Sequence, residues 1–555
     1  MSKARLIAAL IFLMSLTAIA TWIVPIRLAT EPGASYYNFS FVTDECCYAA
    51  HIAPLIDKTN DANVVNGFSD QSFTPQFYLE MLLRRILTVL QMHSITFFWL
   101  WRIGYPLFLG ITLLLLTIIS LRRSDKLWHW PLALMTAAAA WPLFYFAYEL
   151  LMPRFPMRYW LERIPTNFEV LLMVVLFATI VYLLREPTLR RAIMVVLALA
   201  AIVYARPYSI VGCGPPLLIT VFWLTYTRFV PWRVSTIAAA VFVILLLPFV
   251  LQMHQNSLSP EYKAWTERYF PEVDGYEVHP RWAYHLATAI VLAIMAWRLR
   301  GPWRVFVLSL AITAAYVPFA SGLRPWRVQL LNIYDRWGTL LSLSLVVGAL
   351  LLLAQSCETW RGKAGARRVS RALYTLAAVS FLSSGVLAVR SYLYDFSADR
   401  NSNHMILNAD AQCVPAYTWI TNNTASDALF VVDDGLDWGK VDKDPVLRTY
   451  AGTIIWDRAE LFLLTARRRC VYTERLYVNS ISAADLRFAR ALHYGTFGMT
   501  IPVELYKEAL KHYRPDYIFW RRTSAVPRGF GAQLQSLATV VYSDQCCEIW
   551  KLRYE

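Results

Sequence analysis

Charge is scarce in this chain of 555 residues: 16% of them are charged, against about a quarter in an ordinary soluble protein. With 57% apolar residues and a mean hydropathy of +0.40, it also lacks the low hydrophobicity that disorder requires. The 21 glycines and 8 cysteines are too few for a fibrous repeat or a disulfide scaffold. No internal repeat at a fixed period and no low-complexity linker stands out. What the sequence has in abundance is long apolar runs, which leaves a polytopic α-helical membrane protein.

A hydrocarbon core of ~30 Å needs about 20 apolar residues per helix. Such runs lie near 5–27, 96–120, 127–149, 166–184, 189–205, 208–227, 234–252, 282–297, 303–320, 335–355 and 372–389. They predict about 11 transmembrane helices, the first retained rather than cleaved. With the N-terminus inside, the inner segments carry Lys3, Arg5, Arg122, Arg123, Lys126, Arg185, Arg190, Arg191, Arg228, Arg233, Arg298, Arg300, Arg304, Arg361, Lys363, Arg367, Arg368 and Arg371. Only Asp125, Glu186 and Glu358 oppose them there, so the inner excess equals the whole net charge of +15. The basic balance is a topology signal. It gives no reason to expect nucleic acid.

This arrangement predicts a transmembrane domain over 1–390 and an extracytoplasmic domain over 391–555. In the tail, Ala428–Val432, Cys470–Thr473, Tyr517–Trp520 and Ala538–Tyr542 read as short strands, with helical stretches at 482–494 and 502–513. That alternation predicts a small α/β domain with a partly parallel sheet. Cys46, Cys47, Cys413, Cys470, Cys546 and Cys547 would all face outward, where disulfides are permitted. Their pairing is not readable from spacing, beyond long links being favoured over vicinal ones. Arg467, Arg468 and Arg469 read as a solvated turn before the Cys470 strand.

The first outer loop, about 28–95, is the longest between spans and contains Asp44-Glu45-Cys46-Cys47-Tyr48 and then His51. As a helix from Thr43 to Ile56, it would place Asp44, Tyr48 and His51 on one face. Paired carboxylates beside a membrane span are costly unless solvated, paired or used. The plainer reading is that Asp44 and Glu45 complement a helix N-terminus. Further along the loop, Phe73–Leu90 reads as an amphipathic helix with Arg84 and Arg85 on its polar side.

The Asp44-Glu45-x-x-Tyr48 segment resembles the D-E-x-x-Y motif of the GT-C superfamily of membrane glycosyltransferases, including the protein-mannosyltransferase-like and ArnT-like families. The plan is similar too: many helices, a long first outer loop with amphipathic helices, and a C-terminal outer domain. Tyr204-Ala205-Arg206-Pro207 sits where relatives often carry Lys-Gly, and Ser72-Phe73-Thr74-Pro75-Gln76 replaces their Pro-Pro-Leu segment. The second acid common in relatives has three candidates here, Glu149, Glu162 and Glu169. The resemblance implies transfer of a sugar from a polyprenyl-phosphate donor to a lipid, glycan or protein acceptor at the outer face, with inversion. Asp44 would be the base, Glu45 its helper, and Tyr48 and His51 substrate-binding residues.

A lipid-phosphate leaving group needs cations, and arginine's planar fork suits phosphate. Arg324, Arg327 and Arg336 cluster in the fifth outer loop, against the positive-inside bias, and Arg206 is a lone candidate. Arg154, Arg158 and Arg163 form a second set. Headgroup anchoring, with Trp326, Trp337 and Trp160 as interfacial aromatics, is the alternative for both. Asp44, Glu45 and His51 could hold a divalent metal ion, although no complete ligand set is visible. His254, His279 and His285 read as solvated or interfacial. Competing functions are an O-antigen-ligase-like or polymerase-like enzyme on lipid-linked glycans, and a non-catalytic transport or assembly protein. Charges gathered at outer helix ends rather than mid-span count against transport. The expected location is the bacterial plasma membrane, as an integral multi-pass protein.

Overall fold

The computed structural model describes residues 64–65, 78–92, 94–121, 140, 164–205, 209–258, 282–320, 337–359, 368, 371, 375, 413–433, 462, 466–471, 488, 491–493, 495–497, 501–522 and 537–554. Contacts divide the chain into two compact units, one of residues 1–27, 101–251 and 272–396, the other of 28–100, 252–271 and 397–555. In chain order the elements are β1 (Val64–Val65), α1 (Tyr78–Val89), α2 (Ser94–Leu121), α3 (Ile164–Arg185), α4 (Leu189–Ala205) and α5 (Ser209–Tyr226). Next come α6 (Trp232–Leu258), α7 (Trp282–Arg298), α8 (Gly301–Ala320), α9 (Trp337–Thr359) and α10 (Val414–Asn423). The chain closes with β2 (Leu429–Val432), β3 (Arg469–Val471), α11 (Val503–Tyr513), β4 (Tyr517–Arg521), β5 (Ala538–Ser543) and β6 (Cys547–Leu552).

The first unit is helical. Eight of the sequence-predicted spans fall on α2 to α9; those at 5–27, 127–149 and 372–389 lie outside the described residues, apart from Ala140 and Thr375. Among the described residues, Phe168–Arg185 and Trp232–Leu251 are long and apolar enough to cross a membrane, with mean hydropathies of 2.2 and 2.7. They occupy opposite environments. The α3 stretch is mostly buried, with Val170, Val174, Phe177 and Val181 at its core, whereas in the α6 stretch Ala238 is buried, Val234, Val241, Phe242 and Leu245 are half-buried against the core, and most other residues are exposed. Val243, Ile244 and Leu247 on α6, Leu218 and Phe222 on α5, and Ile290 and Ile294 on α7 all face outward. Soluble monomers rarely expose apolar patches beyond a few hundred Å². Such a flank suits hydrocarbon, where helices bring every backbone bond with them.

Interhelical contacts use small and hydroxyl side chains. Thr220 of α5 and Ser309 of α8 share a buried hydrogen bond of 2.7 Å. Gly348 of α9 lies so close to α7 that a Cβ there would sit 2.8 Å from the Met295 sulfur. Both devices are those expected where packing and hydrogen bonds, rather than water exclusion, join helices.

Among the described residues, the second unit holds a six-stranded sheet in the order β1-β3-β2-β4-β6-β5. Strands β3, β2 and β4 are parallel; β1, β6 and β5 pair antiparallel at the two sides. Alternation decides the two faces. Leu429, Val431, Ile518 and Trp520 pack with Tyr506, Leu510 and Tyr513 of α11. On the other face Phe430 and Phe519 meet Phe462 and Tyr417 of α10, with ring centroids 5.1 to 5.5 Å apart.

Three expectations are corrected. Arg468 is not a solvated turn residue: it is buried, and its guanidinium donates to the carbonyls of Thr421 and Thr424 at 2.9 and 2.8 Å and to Thr424 Oγ1. It thereby satisfies carbonyls that the end of α10 leaves without intrahelical partners. Arg84 lies on the buried side of α1 with Leu83 and Leu87, while Leu82, Ile86 and Val89 are exposed. His285 is buried on α7 beside Thr288 and Ala289 rather than solvated. The elements β1, β6 and α10 were also missed; in β6, Glu548 and Lys551 interrupt the apolar run that marked the other strands.

Candidate functional site

Charge is sorted along the helical unit. At one end, the C-termini of α2 and α3 meet, where Arg185 donates to the Ser120 carbonyl and lies 6.0 Å from the Trp303 ring. Gln355 of α9 bridges the turn between α7 and α8, accepting from the Arg300 amide at 2.7 Å and donating to the Arg298 carbonyl at 2.8 Å. Arg191 pairs with Glu186 at 2.6 Å and packs on the Tyr182 ring. The basic turns after α3 and α7, predicted to face one compartment, therefore gather at one end of the unit.

The N-terminal ends of α2 and α3 meet at the other end, where Trp101 stacks on Phe168 with ring centroids 4.3 Å apart and planes 8° from parallel. Beside this stack Glu169 is 2% exposed and Tyr105 is buried. Among the described residues, Glu169 and His285 are the buried acid and base of α2 to α9, and both lie within two turns of the start of their helices. Tyr204, one residue before the end of α4, donates to the Leu245 carbonyl of α6 at 2.7 Å and meets Phe249 edge-on.

Asp44, Glu45, Tyr48, His51, Arg206, Arg324, Arg327 and Arg336 lie outside the described residues, as do Arg154, Arg158, Arg163, Glu149 and Glu162. Arg206 directly follows the last residue of α4, and the segment carrying Arg324, Arg327 and Arg336 joins Ala320 of α8 to Trp337 of α9. Glu169 is thus the candidate second acid whose surroundings are described. A buried carboxylate among apolar helices is expensive and is a functional candidate for that reason. Among the described residues no group of three or more His, Cys, Asp and Glu side chains could hold a metal ion.

The sheet unit contains a charged cluster that the sequence reading did not single out. Asp433 immediately follows β2 and Arg521 ends β4, and both are buried. Arg521 donates to the Asp433 carbonyl and to the Tyr417 hydroxyl at 3.2 Å, and lies over the Phe519 ring. His493 Nε2 lies 3.1 Å from the Val432 carbonyl. Connections from β2 run first to β3 on one side and then to β4 on the other, so β2 and β4 flank a topological switch point. Crevices at such points bind ligands in open α/β sheets; here Arg521 and Asp433 close it with each other. An Asp directly after an apolar strand was the sequence signal for it.

No known family profile matches the chain, and no curated protein matches it. Solved structures do. One is the archaeal oligosaccharyltransferase AglB from Archaeoglobus fulgidus in complex with an inhibitory peptide and a dolichol-phosphate: 10% identity, 94% of this chain and 69% of that chain covered, TM-score 0.49. Another is the Archaeoglobus fulgidus oligosaccharyltransferase tethered to an acceptor peptide: 11% identity, the same coverage, TM-score 0.45.

Proposed function

We propose that the chain is an integral membrane glycosyltransferase of the GT-C type, moving a sugar from a polyprenyl-phosphate donor to a lipid, glycan or protein acceptor. The observation that carries this reading is the sorting of charge in the helical unit. Basic turns gather at one end, while the buried Glu169 and His285 lie near the helix starts at the other. The positive-inside bias makes the basic end cytoplasmic. The opposite end, bordered in sequence by Arg206 and by the segment with Arg324, Arg327 and Arg336, then faces outward.

In this reading Asp44 removes the proton from the acceptor hydroxyl or amine as that atom attacks the anomeric carbon. The bond from that carbon to the phosphate oxygen breaks on the opposite side, so the anomeric centre inverts. Polyprenyl phosphate leaves with its charge held by Arg324, Arg327 and Arg336, which needs cations more than a proton. Glu45 beside Asp44 raises its basicity, since two like charges oppose joint ionisation. Tyr48 and His51 orient the substrate. If a divalent ion takes part, Asp44, Glu45 and His51 are the residues to hold it.

Asp44→Asn tests the reading, because it retains size and hydrogen bonding while removing basicity. Loss of a general base costs roughly 10²–10⁴ in turnover, with donor binding intact. A carboxylate that only complements a helix terminus is worth about 0.3–1 kcal/mol and would leave turnover near wild type. Sugar transfer from a polyprenyl-phosphate donor at matched protein level separates the two.

A further inference from the structure

Cys413 is the residue before α10 and is buried; Cys547 opens β6 and is buried too. Their thiols are in hydrogen-bonding contact. The register explains why. Cys547 pairs directly across from Arg521 on β4, so the two side chains share the face covered by α10. Tyr417 lies four residues after Cys413, one helical turn along α10, and its hydroxyl accepts from Arg521 at 3.2 Å. The helix and the sheet thus meet at two adjacent rungs, Tyr417 to Arg521 and Cys413 to Cys547.

Among the described cysteines, Cys470 is disfavoured as a partner of Cys547 by the same topology. Cys470 on β3 is three strands from β6, about 14 Å at the usual strand spacing, whereas a disulfide needs Cα atoms within roughly 7 Å. Cys546 sits in the bend just before β6, half-buried where Cys547 is buried, and Cys413 is near enough to act on its thiol, so it is the competitor that the experiment below separates. Asp544 Oδ1 accepts the amides of both cysteines at 2.7 Å, which holds the turn into β6 in this orientation.

We propose that Cys413 and Cys547 form a disulfide that ties the start of α10 to the start of β6. The inference rests on the outward-facing reading of this unit, since a cytoplasmic compartment keeps such thiols reduced. The oxidant is an oxidised dithiol carrier. One cysteine thiolate attacks a carrier sulfur and expels the other as a thiolate; the second cysteine then attacks the mixed disulfide and expels the first carrier sulfur. Both protons end on the carrier, which leaves as the dithiol. Both thiols are buried, so the finished bond is shielded from reductant.

The test uses the purified full chain, denatured without reductant, blocked with maleimide, digested and analysed by mass spectrometry. The expected product is a peptide linking Cys413 to Cys547, absent in Cys413→Ser and in Cys547→Ser and retained in Cys546→Ser. Maleimide on both residues, or a link from Cys413 to Cys546, overturns the pairing. A Lys511→Cys variant, placed on the exposed side of α11, reports sidedness through a membrane-impermeant maleimide in intact spheroplasts. If that position labels while Cys413 and Cys547 are both blocked as thiols, the pairing fails and the outward reading stands. If it does not label, the outward reading fails, and oxidised glutathione added to the purified chain decides the pair: a Cys413–Cys547 link supports the geometry, and two thiols refute it.

Discussion

Arg521 and Asp433 hold each other through the backbone in both directions. The Arg521 amide donates to Asp433 Oδ2 at 3.1 Å, and the Arg521 guanidinium donates to the Asp433 carbonyl. The parallel pair β2 and β4 is thereby locked at its C-terminal end, inside a site with almost no exposure. Replacing Arg521 with Met keeps the amide bond to Asp433 Oδ2 but removes the guanidinium bonds to the Asp433 carbonyl and the Tyr417 hydroxyl, a loss of about 1.5–3 kcal/mol. Amide hydrogen exchange in β2 and β4 should accelerate by roughly one to two orders of magnitude. Unchanged exchange would show that the backbone bonds between β2 and β4 hold the pair without the guanidinium.

Arg468→Ala removes the donors that close the end of α10. Hydrogen bonds from a charged group are worth about 1.5–3 kcal/mol in net terms, and for a domain of this size that corresponds to a fall in Tm of about 3–12 °C. Arg468→Lys should recover only part of it, since an ammonium cannot reach the Thr421 and Thr424 carbonyls and the Thr424 hydroxyl with one planar fork. Thermal unfolding of the two variants against wild type reads the difference.

Asp544 makes the turn between β5 and β6 acid-sensitive. Burial pushes its carboxyl pKa upward, but the amides of Cys547 and Cys546 and the Tyr542 hydroxyl outweigh that and hold it below the ordinary carboxylate range. A folded pKa below the unfolded one contributes stability that is present above about pH 4 and is lost as pH falls through the folded value. Exchange of the 537–554 amides, corrected for intrinsic rates, should rise below pH 4 in wild type. Asp544→Asn should show faster exchange at neutral pH and little further change on acidification.

The fifth-loop arginines should govern donor affinity. Arg324→Ala or Arg336→Ala removes a charge-assisted contact to phosphate, worth ~1.5–3 kcal/mol or roughly 10- to 150-fold in binding. Titration with a polyprenyl-phosphate sugar measures it. Full affinity in both variants would make the cluster a headgroup anchor.

Period and composition determined a great deal of this protein. Apolar run length placed α4 at 189–205, where the helix is Leu189–Ala205, and located β2 and β4 within a residue at each end. Lys and Arg sorting anticipated the basic turns that Arg185, Arg298 and Arg300 now bring together. The acidic pair Asp44 and Glu45 lies outside the described residues. Such signals are local, because each residue reports its own preference for hydrocarbon, water or an apolar face.

Only the tertiary structure decided which polar groups are buried and what meets them. Nothing in Arg467-Arg468-Arg469 distinguishes the middle guanidinium, whose burial follows from α10 ending beside β3. His285 and Glu169 are inside because neighbouring helices cover their faces. Val64–Val65 joins the sheet through β3 although some 400 residues separate them. Cys413 meets Cys547 because strand order sets β6 beside β4, under the start of α10. Partners so far apart in the chain are chosen by strand order and helix docking, where the penalty for an unpaired buried group selects one arrangement, and no local pattern records that choice.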